Sequence, residues 1–385
     1  MPGTLYIIGA GASKADTQHL KFPLPLATEF FQPRYTSAYW PPGHKSNFRT
    51  SMLRRVLEQY FSLGHGKYSE ASIQAANVEE VYSFLHCHYA VYRAQSIHPE
   101  YLETARKELL EYIVCLVNGI TSEVKTPALY SVLAKGVRPL DTIVSFNWDV
   151  LLELALQRTP IGRKLLKSQE RIVNPLLSSK VPSYEDNKVR QLHEGLLLKL
   201  HGGTNLTVCT NRECLRHSFP YLWHPDVWGS PDYWGCEACG ASTEILIMPP
   251  YVHKSYATSR FFSLQANLAA QKLGMADEIV ILGYSLSQYD FEAQTMIRCS
   301  RVGIGERIED PSVETFLRRV VLVNPQVETS EYVGRARNLF GLEARQSHGH
   351  KVELALYESI HSFLKMGSHT ARPGKTNRKR RRCQA

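Results

Sequence analysis

The segment Leu198-Lys199-Leu200-His201-Gly202-Gly203 closes a short apolar run, and four cysteines follow it. They form two pairs, with four residues inside the first pair, two inside the second and twenty-one between the pairs: Cys209, Cys214, Cys236 and Cys239. This spacing is usual for a tetrahedral structural zinc site. We therefore predict that the four thiolates bind Zn²⁺ in a small zinc-ribbon module. His201 and His217 are the alternative ligands, because the first pair is spaced more widely than usual.

The apolar run that precedes His201 is one of several predicted strands. The others cover residues 5–8, 141–146, 245–250, 278–282 and 319–323, and helical patterns separate most of them. Apolar strands that alternate with helices are typical of a parallel sheet covered by helices on both faces. The sequence therefore predicts the α/β class with a Rossmann-like parallel sheet. The last segment, residues 352–365, is predicted to be helical.

Small or polar residues follow the ends of five predicted strands. These loops are residues 9–13, 147–149, 201–203 and 283–285, and the single residue Asn324. The carboxyl ends of parallel strands meet at one edge of a sheet, which is where open α/β folds bind ligands. We therefore expect the five loops to converge. Taken singly, Asn147 and Asp149 fit simple helix capping, since both residue types are preferred caps.

The first loop, Gly9-Ala10-Gly11-Ala12-Ser13, has the form that brings backbone N–H groups against a phosphate at a helix start. Lys14 replaces the third glycine of the dinucleotide fingerprint. The acidic residue expected about twenty positions later is Glu29, in a segment predicted to be helical. These departures disfavour a hydride-transferring dehydrogenase.

The chain divides by pattern into a Rossmann-like domain with two inserted parts and a tail. Residues 46–137 carry long amphipathic helices, whose tyrosines and apolar stripes are interpreted as core. The predicted organisation is a Rossmann-like domain of residues 1–45, 138–205 and 240–365, a helical insertion of residues 46–137, a zinc module of residues 206–239 and a tail of residues 366–385.

The composition is that of a soluble globular protein of 385 residues, with 43% apolar and 21% charged residues. No segment approaches the ~18 uninterrupted apolar residues of a membrane helix, and no secretory signal precedes the first strand. We expect a cytoplasmic protein without a membrane contact. Seven of the nine net positive charges lie between Arg372 and Arg382. This tail is predicted to be disordered, and nucleic acid is a partner that its charge would suit.

The ordered set of loops resembles the sirtuin superfamily. The resemblance rests on residues 9–13, the segment Ser145-Phe146-Asn147-Trp148-Asp149, His201-Gly202, the two cysteine pairs, and Gly283-Tyr284-Ser285 with Asn324. It spans residues 5–35 and 138–330. Sirtuins bind NAD, so the resemblance implies a Rossmann-like NAD site and a structural zinc ion.

The resemblance also implies roles for individual residues. In sirtuins the glycine loop, here Gly9, Ala10, Gly11 and Ser13, cradles the NAD phosphates. The residue that matches Asn147 works beside the nicotinamide ribose, and the one that matches Asp149 helps to hold that end of NAD. In sirtuins, the histidine that matches His201 is the general base. The residues that contact the phosphate and adenosine side correspond to Gly283, Ser285 and Asn324.

Two departures point away from protein deacylation. The Gly-Ile-Pro-Asp-Phe-Arg type of segment after the glycine loop is replaced by residues 21–26, and Pro249 and Pro250 follow the zinc module. Prolines lack the backbone donors that an added peptide strand would need. With its helical insertion, the chain looks like the sirtuin-like NAD hydrolases of prokaryotic anti-phage defence.

The resulting prediction is an NAD⁺ glycohydrolase with Asn147 and His201 as catalytic residues. NAD-dependent protein-lysine deacylation is the first alternative, and a non-catalytic module that senses NAD or ADP-ribose is the second. By resemblance to defence proteins, we expect a homo-oligomer and a separately encoded hexameric ATPase as a partner.

Overall fold

The computed structural model describes most of the chain, and every structural statement below refers to that part. The described residues are 3–41, 47–64, 67–94, 100–173, 194–222, 235–248, 259–287, 290–298, 317–342 and 352–367. Residues 368–385 of the predicted tail, with all of its basic cluster, and both prolines at 249–250 lie outside these ranges, whereas residues 366 and 367 end a helix.

Eleven strands are present in the described residues and form three sheets. In chain order they are β1 (Thr4–Ile8), β2 (Leu63–Gly64), β3 (Lys67–Tyr68), β4 (Thr142–Ser145), β5 (Leu197–Lys199), β6 (Gly202–Cys209), β7 (Tyr221–Leu222), β8 (Thr243–Ile247), β9 (Glu278–Leu282), β10 (Arg319–Val323) and β11 (Glu353–Tyr357). The main sheet has the order β11-β10-β9-β1-β4-β5, and every pairing in it is parallel. The predicted α/β class with a parallel sheet is therefore confirmed.

The strand order identifies the kind of parallel sheet. Counted along the chain, the six strands lie in the order 3-2-1-4-5-6, which is the order of dinucleotide-binding folds. The chain reverses its direction of winding between β1 and β9. At such a switch point the loops on either side diverge and leave a crevice.

The register of the sheet places the strand ends on one line. Ile8 pairs with both Ser145 and Leu282, Ser145 pairs with Lys199, and Leu282 pairs with Val323. The loops that follow these residues therefore leave the sheet at one level. This geometry brings together segments that are more than three hundred residues apart in the sequence.

One predicted element is wrong in type. Residues 352–365 were expected to be helical, but residues Glu353–Tyr357 form β11, and only Ile360–Gly367 is helical. The local sequence contains good helix formers, yet pairing with β10 determines the conformation. Alternate side chains of β11 pack on opposite faces of the sheet, with Leu354 and Leu356 in one core and Ala355 and Tyr357 in the other.

Helices cover both faces of the main sheet. The α-helices are Ala10–Thr17, Pro33–Tyr39, Met52–Val56, Glu70–Gln74, Val78–Ala94, Glu100–Glu123, Ala128–Gly136, Leu151–Leu156, Pro160–Val173, Leu215–Ser218, Arg260–Met275, residues 291–298, Ser330–Phe340 and Ile360–Gly367. Leu57–Phe61 is π-helical, and Phe48–Thr50 and Pro325–Glu328 are 3₁₀ helices. None of the described helices is both long enough and apolar enough to cross a membrane.

The two faces of the sheet bury separate hydrophobic cores. Ile8 belongs to the core that contains the helices of the 46–137 segment, including Leu109 and Leu116. Ile7 belongs to the opposite core, with Phe261 and Tyr332. This alternation along β1 is expected for a strand that is buried on both faces.

The helices predicted in the 46–137 segment are present, and its last helix is fixed to the start of the chain by one carboxylate. Asp16 is buried, and its two oxygens accept hydrogen bonds from the backbone N–H groups of Leu129 (3.0 Å) and Tyr130 (3.1 Å). Burial raises the pKa of Asp16, and these hydrogen bonds act in the opposite direction. Asp16 therefore caps the helix Ala128–Gly136 from a distant part of the sequence.

We expect Asp16→Ala to lower the free energy of unfolding by about 1–3 kcal/mol, because it leaves two buried N–H groups without acceptors. Asp16→Asn keeps one acceptor oxygen and should cost less. Urea denaturation of both variants measures the difference. Equal stability of the two variants would show that Asp16 does not cap this helix.

Candidate functional site

Two glycine loops meet at the switch point between β1 and β9. The N–H of Gly9 donates to Leu282 O and the N–H of Gly11 donates to Gly283 O, each at 3.0 Å. A Cβ on Gly283 would lie 2.2 Å from Ala12 N, and one on Gly9 would lie 2.6 Å from Tyr284 Cα. Gly283 also has a φ of +59°, which side chains rarely adopt. The two backbones can approach this closely only with glycines at these positions.

The first helix begins directly at this contact. Gly9 occupies its N-cap position, and no side chain caps the helix there. The unsatisfied N–H groups and the macrodipole of a helix favour an anion at its start. Ala10 and Ser285, from the two loops, are exposed at this edge. The position and the chemistry therefore suit the pyrophosphate of a dinucleotide.

Lys14, at the place of the third glycine, has a different task. Its Nζ contacts both carboxylate oxygens of Glu29 at 2.6 and 2.7 Å. Glu29 also accepts the N–H of Leu26 (2.8 Å), and it lies in a turn where the sequence predicted a helix. Glu29 therefore pins the segment after the first helix onto that helix.

A hydrogen-bond network joins the glycine loop to the end of β4. Asn147 Nδ2 donates to Ser13 Oγ at 2.8 Å and to the Tyr130 hydroxyl at 3.1 Å, and the two hydroxyl groups are 2.8 Å apart. Ser13 also hydrogen-bonds to Asp149. Burial raises the pKa of Tyr130 well above its usual value, so its hydroxyl stays protonated. The network fixes the plane of the Asn147 amide.

The oxygen of the Asn147 amide is held in one orientation by this network but accepts no hydrogen bond within the described part of the chain. Asn147 is 5% exposed, and its Oδ1 has no hydrogen-bond partner among the described residues. An unpaired buried acceptor costs free energy, so such atoms are expected where a ligand supplies the donor. Asn147 therefore presents one acceptor at the carboxyl edge of the sheet.

Asp149 caps the helix that follows its turn, and its carboxylate also interacts with Ser13 and with the charge of Lys199. Its Oδ1 accepts the N–H of Leu151 at 3.0 Å, which is the capping role that the sequence left open. Burial raises the pKa of Asp149, while the charge of Lys199 and the hydrogen bond with Ser13 act in the opposite direction. Lys199 is itself buried, and its Nζ donates to Glu153 Oε1 (2.7 Å) and to Asp149 O (2.8 Å).

Lys199 ties β5 to the turn after β4. Its backbone N–H donates to Gln265 Oε1 at 2.7 Å, and its carbonyl accepts from Gln265 Nε2 at 3.1 Å. The buried side chain of Lys199 thus joins β5 to the turn after β4, and the Gln265 amide joins β5 to the helix Arg260–Met275. Because charged groups bury only when they are paired, this arrangement specifies one geometry for the turn.

His201 follows β5 by two residues, as Asn147 follows β4. Its Nε2 lies 3.3 Å from Asp290 Oδ2, and its ring packs edge-on against Phe146 with a centroid distance of 4.7 Å. The Tyr284 hydroxyl donates to the same Asp290 oxygen at 2.7 Å, and the Tyr284 ring stacks on Phe146 at 4.6 Å. His201 is 3% exposed. The imidazole thus contacts the ring of Phe146, the residue that directly precedes Asn147.

Asn324 directly follows β10 at the same edge, but its side chain has local partners. Its Oδ1 accepts the N–H of Gln326 (2.9 Å), and its Nδ2 donates to Tyr284 O (3.3 Å). The Tyr332 hydroxyl donates to the same carbonyl at 2.8 Å. Asn324 therefore supports the loop that contains Gly283 and Ser285.

The structure brings the predicted residues to one edge and adds others that the sequence analysis did not assign. Gly9, Gly11 and Gly283 share the switch point, Ser13 meets Asn147 and Asp149, and His201 follows the neighbouring strand. The added residues are Tyr130, Glu153, Lys199 and Asp290. Of these four residues, Lys199 could have been noticed in the sequence, because it is a cation in an apolar strand two positions before His201. Tyr130 was interpreted as core, and nothing in the sequence marks Asp290 or Glu153.

The four predicted zinc ligands form a cluster at the end of β6 that is distant from His201. All four sulfur atoms lie within 4.8 Å of one another, with 3.4 Å between Cys209 and Cys239 and 3.7 Å between Cys214 and Cys236. Tetrahedral zinc with Zn–S bonds of about 2.3 Å needs sulfur atoms roughly 3.8 Å apart. The residues therefore fit zinc with four thiolates, which leaves no open position for water.

Neither alternative ligand belongs to the cluster. His217 Nδ1 lies 2.8 Å from Cys209 O, and His201 contacts Asp290 instead. The cluster belongs to the antiparallel sheet β7-β6-β8. This sheet starts directly after His201, and Met248 N donates to His201 O at 2.9 Å. The sheet that carries this cluster therefore adjoins the backbone of His201 through both Gly202 and Met248.

Comparisons with known proteins give distant structural likeness only. A scan against protein-family models and a search of curated proteins matched nothing. A Sir2 homologue in complex with NAD aligns with 96% of this chain and 89% of its own, at 11% identity and a TM-score of 0.43. A Sir2 homologue variant with ADP-ribose has 11% identity, coverage of 96% and 91%, and a TM-score of 0.40. A Sir2–p53 peptide–NAD⁺ complex has 12% identity, coverage of 96% and 92%, and a TM-score of 0.36. Scores this low assign neither family nor activity.

We expect Gly283→Ala to destabilise the protein, because a side chain at φ +59° costs about 1–2 kcal/mol and its Cβ would also meet Ala12 N. Gly334→Ala is the matched control. Gly334 lies inside the helix Ser330–Phe340 with open space at its Cβ position, so alanine should stabilise the protein by about 0.5–1 kcal/mol. Thermal unfolding of both variants tests the opposite signs. Two shifts in the same direction would contradict the close approach of the loops.

Removal of the metal should loosen the sheet that adjoins His201. We expect Cys236→Ser to lose most of the bound zinc, measured by elemental analysis, and to unfold at a lower temperature. Cys87→Ser changes a thiol outside the cluster and should keep the full zinc content. Zinc retained in Cys236→Ser at the parent level would refute the four-thiolate site.

Proposed function

We propose that this chain is a sirtuin-like NAD⁺ hydrolase that cleaves the nicotinamide–ribose bond to give nicotinamide and ADP-ribose. The observation that carries the proposal is the convergence at one edge of a dinucleotide-type sheet. Two glycine loops meet beside an uncapped helix start at the switch point, and a buried amide and a buried imidazole follow the next two strand ends.

The dinucleotide would bind across the switch point. Its pyrophosphate would accept hydrogen bonds at the start of the helix Ala10–Thr17, where Gly9 and Gly11 keep the backbone free of side chains. The exposed Ser285 lies on the opposite loop, on the side assigned to the adenosine. The nicotinamide ribose would then extend along the edge toward β4 and β5.

The chemistry at the ribose needs few groups. The C1′–N bond breaks toward an oxocarbenium-like transition state, and nicotinamide leaves as a neutral molecule without protonation. A water oxygen forms the new bond to C1′, and His201 takes the proton from that water. Asn147 Oδ1 accepts a hydrogen bond from the water or from a ribose hydroxyl. Acid–base groups of this kind contribute about 10²–10⁴-fold in rate.

The rest of the architecture supplies support instead of chemistry. Zn²⁺ held by the four cysteines would fix the sheet next to His201, and Tyr130 with Ser13 would hold the Asn147 amide. Asp149 would hold the same turn by capping the helix that follows it, and Lys199 would hold the turn through its hydrogen bond to Asp149 O. Each role is a positioning role that follows from the contacts of these side chains.

An NAD⁺ hydrolase that acted freely would deplete its own cell, so the proposal includes regulation. We propose an NAD-depleting effector of anti-phage defence that acts as a homo-oligomer, with a separately encoded hexameric ATPase as a partner. The basic tail of residues 366–385 is the segment proposed to contact nucleic acid, because seven of its residues are cationic. Light scattering of the purified protein tests the oligomer.

Asn147→Ala and His201→Ala should each lower the rate of NAD⁺ loss by at least about 10²-fold while the protein stays folded. Asn338→Ala and His361→Ala change the same residue types at exposed positions and should keep the parent rate. Nicotinamide release by chromatography gives the rates, and circular dichroism checks the fold. Full activity in both site variants would reject the site.

Product analysis and binding measurements separate the hydrolase from the deacylase and from the sensing module. Mass spectrometry of the NAD products, with and without an acetyl-lysine peptide, should show ADP-ribose in both reactions. Acetylated ADP-ribose that forms only with the peptide would establish deacylation instead. Binding of NAD⁺ in calorimetry without any product would establish a sensing module.

A further inference from the structure

Beside His201 lies a buried carboxylate that the proposed mechanism has not used. Asp290 is 1% exposed and directly precedes the helix of residues 291–298. Its backbone carbonyl accepts the N–H of Gln294 at 3.0 Å, so it stands at the start of that helix. The start of a helix stabilises negative charge at this position.

Two groups from different elements converge on one oxygen of this carboxylate. The Tyr284 hydroxyl donates to Oδ2 at 2.7 Å, and His201 Nε2 lies 3.3 Å from the same atom. Phe146 packs against both rings and shields the group from water. An ionised carboxylate in such surroundings favours the imidazolium form of a neighbouring histidine.

The other ionisable groups near this edge are directed elsewhere. Lys199 precedes His201 by two residues, but its Nζ is bound to Glu153 and to Asp149 O. Asp149 bonds to Ser13 and to Leu151 N. Within the described part of the chain, Asp290 lies directly beside the imidazole, and Tyr284 contacts the same carboxylate oxygen.

We propose that Asp290 is the positioning residue of His201, a counter-ion that orients the imidazole and stabilises the imidazolium formed when it takes a proton. Tyr284 tunes this counter-ion by donating a hydrogen bond to it. The kinetic consequence of this inference rests on the proposed function, but the contact between His201 and Asp290 exists independently of any substrate. In the reaction, the proton moves from water to His201, and Asp290 stays ionised throughout.

Two variants should shift the pH dependence in opposite directions. Asp290→Asn removes the charge at constant shape, so we expect kcat/KM to fall by about 10²-fold and its acid limb to move to lower pH by about one unit. Tyr284→Phe removes the competing donor and leaves the carboxylate to His201 alone. Its acid limb should move to higher pH, with a smaller loss of rate.

A merely structural role would not produce opposite shifts. If Asp290 only capped its helix, both variants would lose rate or stability with an unchanged pH profile, and the proposal would be overturned. Parent-like rates and profiles in Asp290→Asn would overturn it as well.

A second measurement keeps this test apart from the proposed function. Histidine-selective ¹⁵N NMR of the full chain follows the protonation of His201, with its signal assigned by its loss in His201→Ala. The protonation midpoint should fall in Asp290→Asn and rise in Tyr284→Phe even if the protein does not hydrolyse NAD⁺. An unchanged midpoint in Asp290→Asn would refute the counter-ion, whereas shifted midpoints without turnover would refute only the hydrolase.

Discussion

The close approach of two backbone loops at the centre of the sheet is the constraint on which the rest of the site depends. Gly9 and Gly11 contact the loop of Gly283 through backbone hydrogen bonds, and any side chain at these positions would collide. This contact aligns the start of the first helix with the loop after β9. It also fixes Ser13, which in turn holds the amide of Asn147. The geometry of the candidate catalytic edge therefore depends on glycine, which has no side chain, at these positions.

Beneath that edge lies a layer of buried polar groups, each of which joins two elements. Asp16 joins the first helix to Ala128–Gly136, Lys199 joins β5 to the turn after β4, and Asp290 joins its own helix to His201. Buried polar groups that are fully paired specify one arrangement more sharply than apolar packing does. Asn147 Oδ1, a buried acceptor without a partner among the described residues, lies where the ligand is proposed to bind.

The parts of the site that the sequence predicted are those that topology brings together. In a parallel sheet, the ends of strands converge whatever their distance in the sequence, so Gly9, Asn147 and His201 could be placed on one edge. The spacing of the four cysteines likewise predicted their cluster directly from the sequence. Tyr130 and Asp290 could not be assigned, because their contacts depend on how whole helices dock. β11 was missed since pairing with β10 overrides the helix preference of its residues.

A crystal structure of the protein with ADP-ribose tests the central claim most directly, because it shows whether one ligand spans the whole edge. The account predicts the pyrophosphate at the N–H groups that begin the first helix, and the ribose terminus within hydrogen-bond reach of Asn147 Oδ1 and beside His201. A ligand bound elsewhere, or a ribose terminus directed away from both side chains, would contradict it.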